Sequence, residues 1–331
     1  MRWLRVTPLG QSDQTAAPQQ ARARTTFMLL FAAVGLCWNP QASAQSEDPF
    51  CGEKGVWIQI LGAGGPELDD GQAGPSYLVW IDNQARLLVD TAPGSAANFD
   101  KAGAAFADLD AIVFTHLHAA HTGDFPAFIE GSASAGRDRP LPVFGPSGSD
   151  EFPDTETFIS RLIGPLGAYA YLADYLTYRS SGGYKVDPRN VPATGRRRWA
   201  RFGNDQFRLA AIPVQHGTIP SIAWRVEIGD QLIVFTGDFN NSKNVMTEFA
   251  RGADALVVSH AIPDTARGEA TELFATPSQI GRVAAAAGVR MLILGHRTNR
   301  TRGIESQSRA IIEASYTEPL LFANDMECWG L

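Results

Sequence analysis

Short apolar runs bounded by glycine, proline and polar turns alternate along this chain with segments whose apolar residues recur every three or four positions. The short runs predict strands over 56–61, 76–81, 86–90, 111–115, 207–214, 222–228, 231–236, 255–259 and 291–295. The longer periodic segments predict helices over 122–130, 155–178, 245–250, 277–287 and 305–315. Gly229-Asp230 separates two predicted strands by only two residues, which suits a tight hairpin. Thr276 before Pro277 reads as an N-cap followed by a helix-starting proline, and Gly288 as the stop of the same helix. Alternation of this kind marks an α/β chain. There is no internal repeat of solenoid period.

One stretch, from about 147 to 206, interrupts the strand rhythm and reads as a helical insert. It holds five of the seven tyrosines, at 169, 171, 175, 178 and 184. Leu162, Leu166, Tyr169, Ala173 and Leu176 recur at helical spacing. That stripe fits a core-facing helix side, or else a lid with aromatic walls over a binding site. Arg196, Arg197, Arg198 and Arg201 surround Trp199, either as a solvated charge run or as an anion contact.

The first 44 residues stand apart from this pattern. Arg22 and Arg24 precede an apolar run over 27–36, and Ala42-Ser43-Ala44 supplies a small-x-small cleavage site. The run is shorter than the roughly 20 apolar residues that a membrane-spanning helix needs. The expectation is a signal peptide over 1–44, no stable membrane anchor, a periplasmic or secreted location, and a single domain over 45–331. Removing the signal, with its four Arg and one Asp, leaves 24 basic against 34 acidic side chains, a net charge of −10. Such a surface disfavours nucleic acid as a partner, because duplex binding rests on neutralising phosphates. Cys51 and Cys328 then remain near the two ends of the mature chain, and an oxidising compartment favours a disulfide between them over two free thiols.

The chemistry lies in the histidines. Five of the six fall in an ordered set: His116, His118 and His121 in Thr115-His116-Leu117-His118-Ala119-Ala120-His121, then His216, then His296 after an apolar run. Asp238 follows another apolar run in Phe235-Thr236-Gly237-Asp238. Imidazole is the commonest metal ligand, and an H-x-H-x-x-H cluster points to a metal site rather than to scattered core histidines.

This pattern resembles the metallo-β-lactamase superfamily, with its H-x-H-x-D-H motif followed by a distant His, an Asp and a final His. The turn Leu61-Gly62-Ala63-Gly64-Gly65-Pro66, Asp238 after one apolar strand and Ser259-His260 after another look most like the ribonuclease Z and arylsulfatase-like branch. The resemblance implies an α/β fold: a four-layer αββα sandwich of two αβ halves packed sheet on sheet. It implies a first metal held by His116, His118 and His216, a second held by His121 and His296, and Asp238 bridging them. The cofactor it implies is Zn2+, one or two per chain, with Mn2+ or Fe2+ as alternatives.

One family ligand is missing, since Ala120 stands where the motif has its Asp. Asp124, about one helical turn beyond His121, is either a replacement or an ordinary helix-start aspartate. His260 resembles a family histidine that protonates the leaving group; the alternative is a neutral core residue. Two functions stay open. One is an exported hydrolase of a small ester, phosphodiester or aryl sulfate that uses a metal-bound hydroxide, with His260 and Asp238 as catalytic residues. The other is a degenerate member that binds a ligand or a single metal without turnover. Nothing in the sequence names the substrate or the oligomeric state.

Overall fold

Two seven-stranded mixed sheets carry the chain in a computed structural model that describes residues 52, 54–177 and 183–331. The signal segment, Cys51 and Tyr178 lie outside the described residues. The first sheet takes β1 (Val56–Gly62), β2 (Ser76–Ile81), β3 (Gln84–Val89), β4 (Ala111–Val113), β5 (Leu141–Pro146) and β6 (Val186–Val191). The second takes β7 (Trp199–Gly203), β8 (Arg208–His216), β9 (Ile219–Ile228), β10 (Gln231–Phe235), β11 (Ala255–Ser259), β12 (Leu292–Gly295) and β13 (Leu320–Phe322). The last strand, β14 (Cys328–Gly330), returns to pair with β1 in the first sheet.

The sheets repeat one plan. In the order β14-β1-β2-β3-β4-β5-β6, three antiparallel pairings lead into three parallel ones. The order β7-β8-β9-β10-β11-β12-β13 does the same. Strand alternation sends Ile58, Ile60, Val79 and Leu87 inward against Trp224, Ile233, Phe235 and Val257 of the facing sheet. The outward residues Trp57, Leu61, Leu78 and Leu88 pack with Phe125, Phe128 and Ile159 of α3 (Phe125–Gly131) and α4 (Thr155–Ile163). Across the second sheet, Leu232, Val234, Leu256 and Val258 pack with Met246, Ile280, Val283 and Ile312 of α5 (Met246–Phe249), α7 (Pro277–Ala287) and α8 (Glu305–Glu313). The result is the four-layer αββα order. Burial on both faces explains why so many strands read as unbroken apolar runs.

Local signals hold where they were strongest. Gly229, with φ +59°, turns the β9–β10 hairpin. The α7 helix has the Thr276–Gln279 capping box and ends at Gly288 in the left-handed conformation.

The stretch over 147–206 needs correction, because it is only partly an insert. Its later half supplies β6 and β7, which form the outer edges of the two sheets. The apolar pattern does not mark β5, whose Pro142 and Pro146 suggest a break, yet the strand pairs with β4 and β6. The helix over 155–178 stops at Ile163 because Gly164, extended at ψ 175°, precedes Pro165; a 3-10 turn over Ala170–Leu176 follows. The periodic stripe splits accordingly. Leu162 and Leu176 pack on the core, whereas Leu166 is fully exposed and Tyr169 is exposed. The helix over 122–130 is two pieces, α2 (Ala119–Thr122) and α3, broken at Gly123-Asp124. Arg196, Arg197, Arg198 and Arg201 are all exposed, and Arg198 pairs with Glu227 at 2.9 Å, so they form a solvated run.

Candidate metal centre

Every candidate ligand sits just past, or at the end of, a strand, on loops at one rim of the two sheets. β4 leads into Thr115–His121, β8 ends at His216, β10 leads into Gly237-Asp238, and β12 leads into His296. Gly237 makes the rim compact. Its φ is +58°, and a Cβ there would lie 2.6 Å from Thr115 Cβ, so only glycine lets the Asp238 loop reach the histidine loop.

The side chains converge on one atom. Asp238 Oδ2 lies 3.7 Å from His116 Nε2, 3.6 Å from His121 Nε2, 3.7 Å from His216 Nε2 and 3.6 Å from His296 Nε2. His118 Nδ1 is 3.1 Å from His116 Nε2. His116, His121, His216, Asp238 and His296 are buried, and His118 is half-buried. Separations near 3.6 Å are too long for hydrogen bonds. They are close to the roughly 3.4 Å between two ligand atoms of one tetrahedral ion with bonds near 2.1 Å.

The outer faces of the rings explain why the inner nitrogens are free to bind. His121 Nδ1 donates to Asp90 Oδ2 at 2.8 Å, and His216 Nδ1 donates to the Leu273 carbonyl at 2.9 Å. The Thr115 hydroxyl donates to Asp90 Oδ2 at 2.8 Å and therefore accepts from His116 Nδ1, 3.1 Å away. With Nδ1 engaged outward, each Nε2 faces inward, and His121 Nε2 is buried with no hydrogen-bond partner. Ring nitrogens gathered around a buried carboxylate make a place for positive charge, which a cation fills or, without one, a second proton on His121. The residues present therefore fit a divalent metal. Two ligand groups stand out among the described residues: His116 with His118 and His216, and His116 with His121 and Asp238.

The electrostatics agree. Burial and the neighbouring imidazoles push His116 down and hold His118 at about 4, so these rings are neutral ligands at neutral pH. Burial also lowers His296. At Asp238 burial favours the acid form, but the surrounding histidines outweigh it and hold the carboxylate ionised. Burial opposes charge on His121 as well, yet Asp238 and Asp90 push it up to about 10, the mark of a place built for positive charge.

Two further residues, Asp90 and Ser259, hold the ligands in place, a role that the sequence pattern does not assign to either. Asp90 ends an apolar run just as Asp238 does, with φ +58° and almost no exposure; besides His121 and the Thr115 hydroxyl it accepts the Thr115 N–H at 2.7 Å. Ser259 donates to Asp238 Oδ1 at 2.7 Å and leaves Oδ2 facing the histidines.

Two sequence-predicted residues, His260 and Asp124, lie away from the cavity. His260 does not reach the cavity. It is fully buried, its Nε2 is 2.9 Å from Ser308 Oγ on α8, and its ring packs against Phe322, so the structure places it as a core residue. Asp124 accepts the Ala96 N–H at 3.0 Å and is not on the cavity wall, so it is no substitute ligand. Ala120 does line the cavity, which measures about 260 Å³, and brings only a methyl group there. Pro66, Glu67, Ile219, Leu273, Phe274, Thr298 and Arg300 also line it, and none of the tyrosines among the described residues does.

Two sheets in an αββα sandwich with a histidine and aspartate cluster at their rim define a metallo-β-lactamase-like metal-binding hydrolase fold. Residues 85–297 match the family described as the beta-lactamase superfamily domain, and the chain belongs to that superfamily in its metallo form. A ribonuclease Z from Mycolicibacterium paratuberculosis is 28% identical over 289 residues, covering 82% of this chain and 96% of the relative. Among solved structures, the metallo-β-lactamase fold protein YhfI from Bacillus subtilis superposes with a TM-score of 0.64 at 18% identity, over 83% of this chain and 98% of its own. The short form of human tRNase Z gives 0.64 at 17% identity, over 82% and 98%. Among the described residues no helix is long and apolar enough to cross a membrane.

Proposed function

We propose that this protein is an exported, zinc-dependent hydrolase of a small anionic ester, a phosphodiester or aryl sulfate. The observation that carries the reading is the meeting of four buried Nε2 atoms, all 3.6–3.7 Å from Asp238 Oδ2, three of them on rings whose Nδ1 is engaged elsewhere. His116, His118 and His216 with Asp238 would hold one cation; His121 and His296 with Asp238 would hold the other. A set rich in imidazole with one carboxylate suits zinc better than the harder cations. Bound there, a dication supplies Lewis acidity toward water and the ester oxygen.

The chain's own residues do the rest. Asp90 fixes the His121 ring directly and the His116 ring through Thr115. Ser259 keeps one oxygen of Asp238 turned away from the centre. Leu273, Phe274 and Ile219 give the cavity an apolar part of its wall, and Arg300 brings an exposed positive charge to it. Hydrolysis forms a bond from the water oxygen to phosphorus or sulfur and breaks the ester bond, and the departing oxygen takes up the proton the water gave. The test is turnover of bis-p-nitrophenyl phosphate and p-nitrophenyl sulfate by zinc-loaded protein, with Asp238→Ala as control. Turnover lost in Asp238→Ala supports the reading; turnover equal in the two proteins sinks it.

Ala120 favours a second reading, a protein that binds one metal or a ligand without turnover. Asp238 is then the one carboxylate standing among the histidine nitrogens, with Glu67 elsewhere on the cavity wall. Ala120→Asp separates the readings: tighter second-zinc binding and faster diester hydrolysis are expected of a hydrolase with a weakened second site. No gain in either would mean that the cavity has been rebuilt around alanine.

The ribonuclease Z name of the relatives makes RNA the competing substrate. Cleavage of a transfer-RNA precursor faster than of small diesters would overturn the choice of a small molecule. Export and a Cys51–Cys328 bridge belong to the same proposal. Cys328 is buried on β14 opposite Gln59 of β1. Resistance of both cysteines to alkylation in denatured, unreduced protein is the expected result; two alkylated thiols would refute the bridge.

A further inference from the structure

A second, smaller pocket of about 170 Å³ opens beside the metal cavity. Its walls come from three places: Leu117 and Ala119 on the histidine loop, Pro220 at the start of β9, and Pro146, Phe152 and Pro153 on the link from β5 to α4. It shares His118 and Ile219 with the metal cavity, so these two side chains mark the boundary where the two pockets adjoin. His118 is the sole polar side chain in its wall. The polar residues Glu67, Thr298 and Arg300 line the metal cavity instead.

The pocket is also built in advance of any ligand. Pro146, Pro153 and Pro220 fix their own φ angles. Thr155 Oγ1 donates to the Pro146 carbonyl at 3.0 Å, and Asp154 caps α4 by accepting from Thr157 N–H at 2.7 Å. Phe152 is pinned by its backbone: its N–H donates to Ser149 Oγ at 3.2 Å, and its carbonyl accepts from Ser149 N–H at 2.9 Å. Rigid walls of this kind lower the ordering cost of binding. An apolar cavity of about 150 Å³ is known to hold benzene, so this one matches a single aromatic ring.

We propose that the substrate carries a benzene-sized apolar group, seated in this side pocket while its anionic ester centre lies among the metal ligands. The proposal rests on the hydrolase reading above and narrows it: the ester is aromatic or similarly bulky on one side, not a simple alkyl ester. Phe152 and Ile219 become specificity-determining residues, and neither has a part in the bond-breaking step.

The test is calorimetric binding of two inert probes, methylphosphonate and phenylphosphonate, to the zinc-loaded full chain. Phenylphosphonate should bind at least about tenfold more tightly, as burial of a ring predicts. Phe152→Ala should cut that preference to about threefold or less, and Phe152→Leu, which keeps an apolar wall, should retain most of it. Equal affinity for the two probes in the unaltered protein, or a preference untouched in Phe152→Ala, would overturn the pocket assignment and leave the metal hydrolase standing. If neither phosphonate binds zinc-loaded protein, the anion-binding metal site itself fails, and the pocket assignment with it.

Discussion

Asp90 does more for the centre than its place outside the ligand set suggests. Three donors end on one buried carboxylate: the Thr115 N–H, the Thr115 hydroxyl and His121 Nδ1. Asp90→Ala strands all three, and each unpaired buried donor costs about 1–3 kcal/mol. The expected loss is about 3 kcal/mol or more of stability in urea melts, with zinc affinity weaker by about 10- to 100-fold in chelator competition. Unchanged zinc affinity would show that His121 needs no positioning. His260 gives a separate, pH-dependent prediction. Burial lowers it from 6.5 to about 4, with Glu305 opposing and Arg297 assisting. A histidine depressed in the folded state contributes stability that is present above pH 6.5 and is lost as pH falls toward 4. Metal-free protein should therefore lose about 2–3 kcal/mol through this group across that window. His260→Gln, which does not titrate, should show a correspondingly shallower fall; parallel curves would contradict the burial argument. The ligands were legible in the sequence because three of them lie within six residues. Asp90 was not, because its role depends on a left-handed backbone and on a loop 25 residues away.

At the scale of elements, what could be read depended on whether the signal was local. α7 carries its own start and stop, and the β9–β10 hairpin carries its own glycine, so both were legible. β5 was not, since two prolines within six residues argue against a strand that only its neighbours β4 and β6 stabilise. The polar edge strands β6 and β7 lack the apolar run that marks a central strand, so their sequence is indistinguishable from an insert. His260, which the resemblance makes either an acid or a core residue, is covered by α8 through Ser308, a contact 48 residues away that no local signal announces. The Gly237 turn offers the test of how elements build the site. Gly237→Ala puts a methyl group against Thr115 at a positive φ. It should cost about 1–3 kcal/mol and loosen zinc binding, read by thermal melts with and without zinc. A variant as stable and as zinc-avid as the parent would show that the two loops have room to separate.

Across the whole molecule, the centre lies where the two αβ halves meet. His116, His118 and His121 come from the first sheet; His216, Asp238 and His296 come from the second. A cation bound by both sets joins the halves, and any ligand that binds only the folded state stabilises it. The most direct measurement is zinc content by elemental analysis of protein purified without chelator, beside Asp238→Ala. The account predicts two zinc per chain at saturating zinc, the second lost first on dilution because Ala120 supplies no carboxylate, and at most one in Asp238→Ala, where His116, His118 and His216 keep a three-imidazole site. No bound zinc in the parent protein, or the same zinc content in Asp238→Ala, would contradict it.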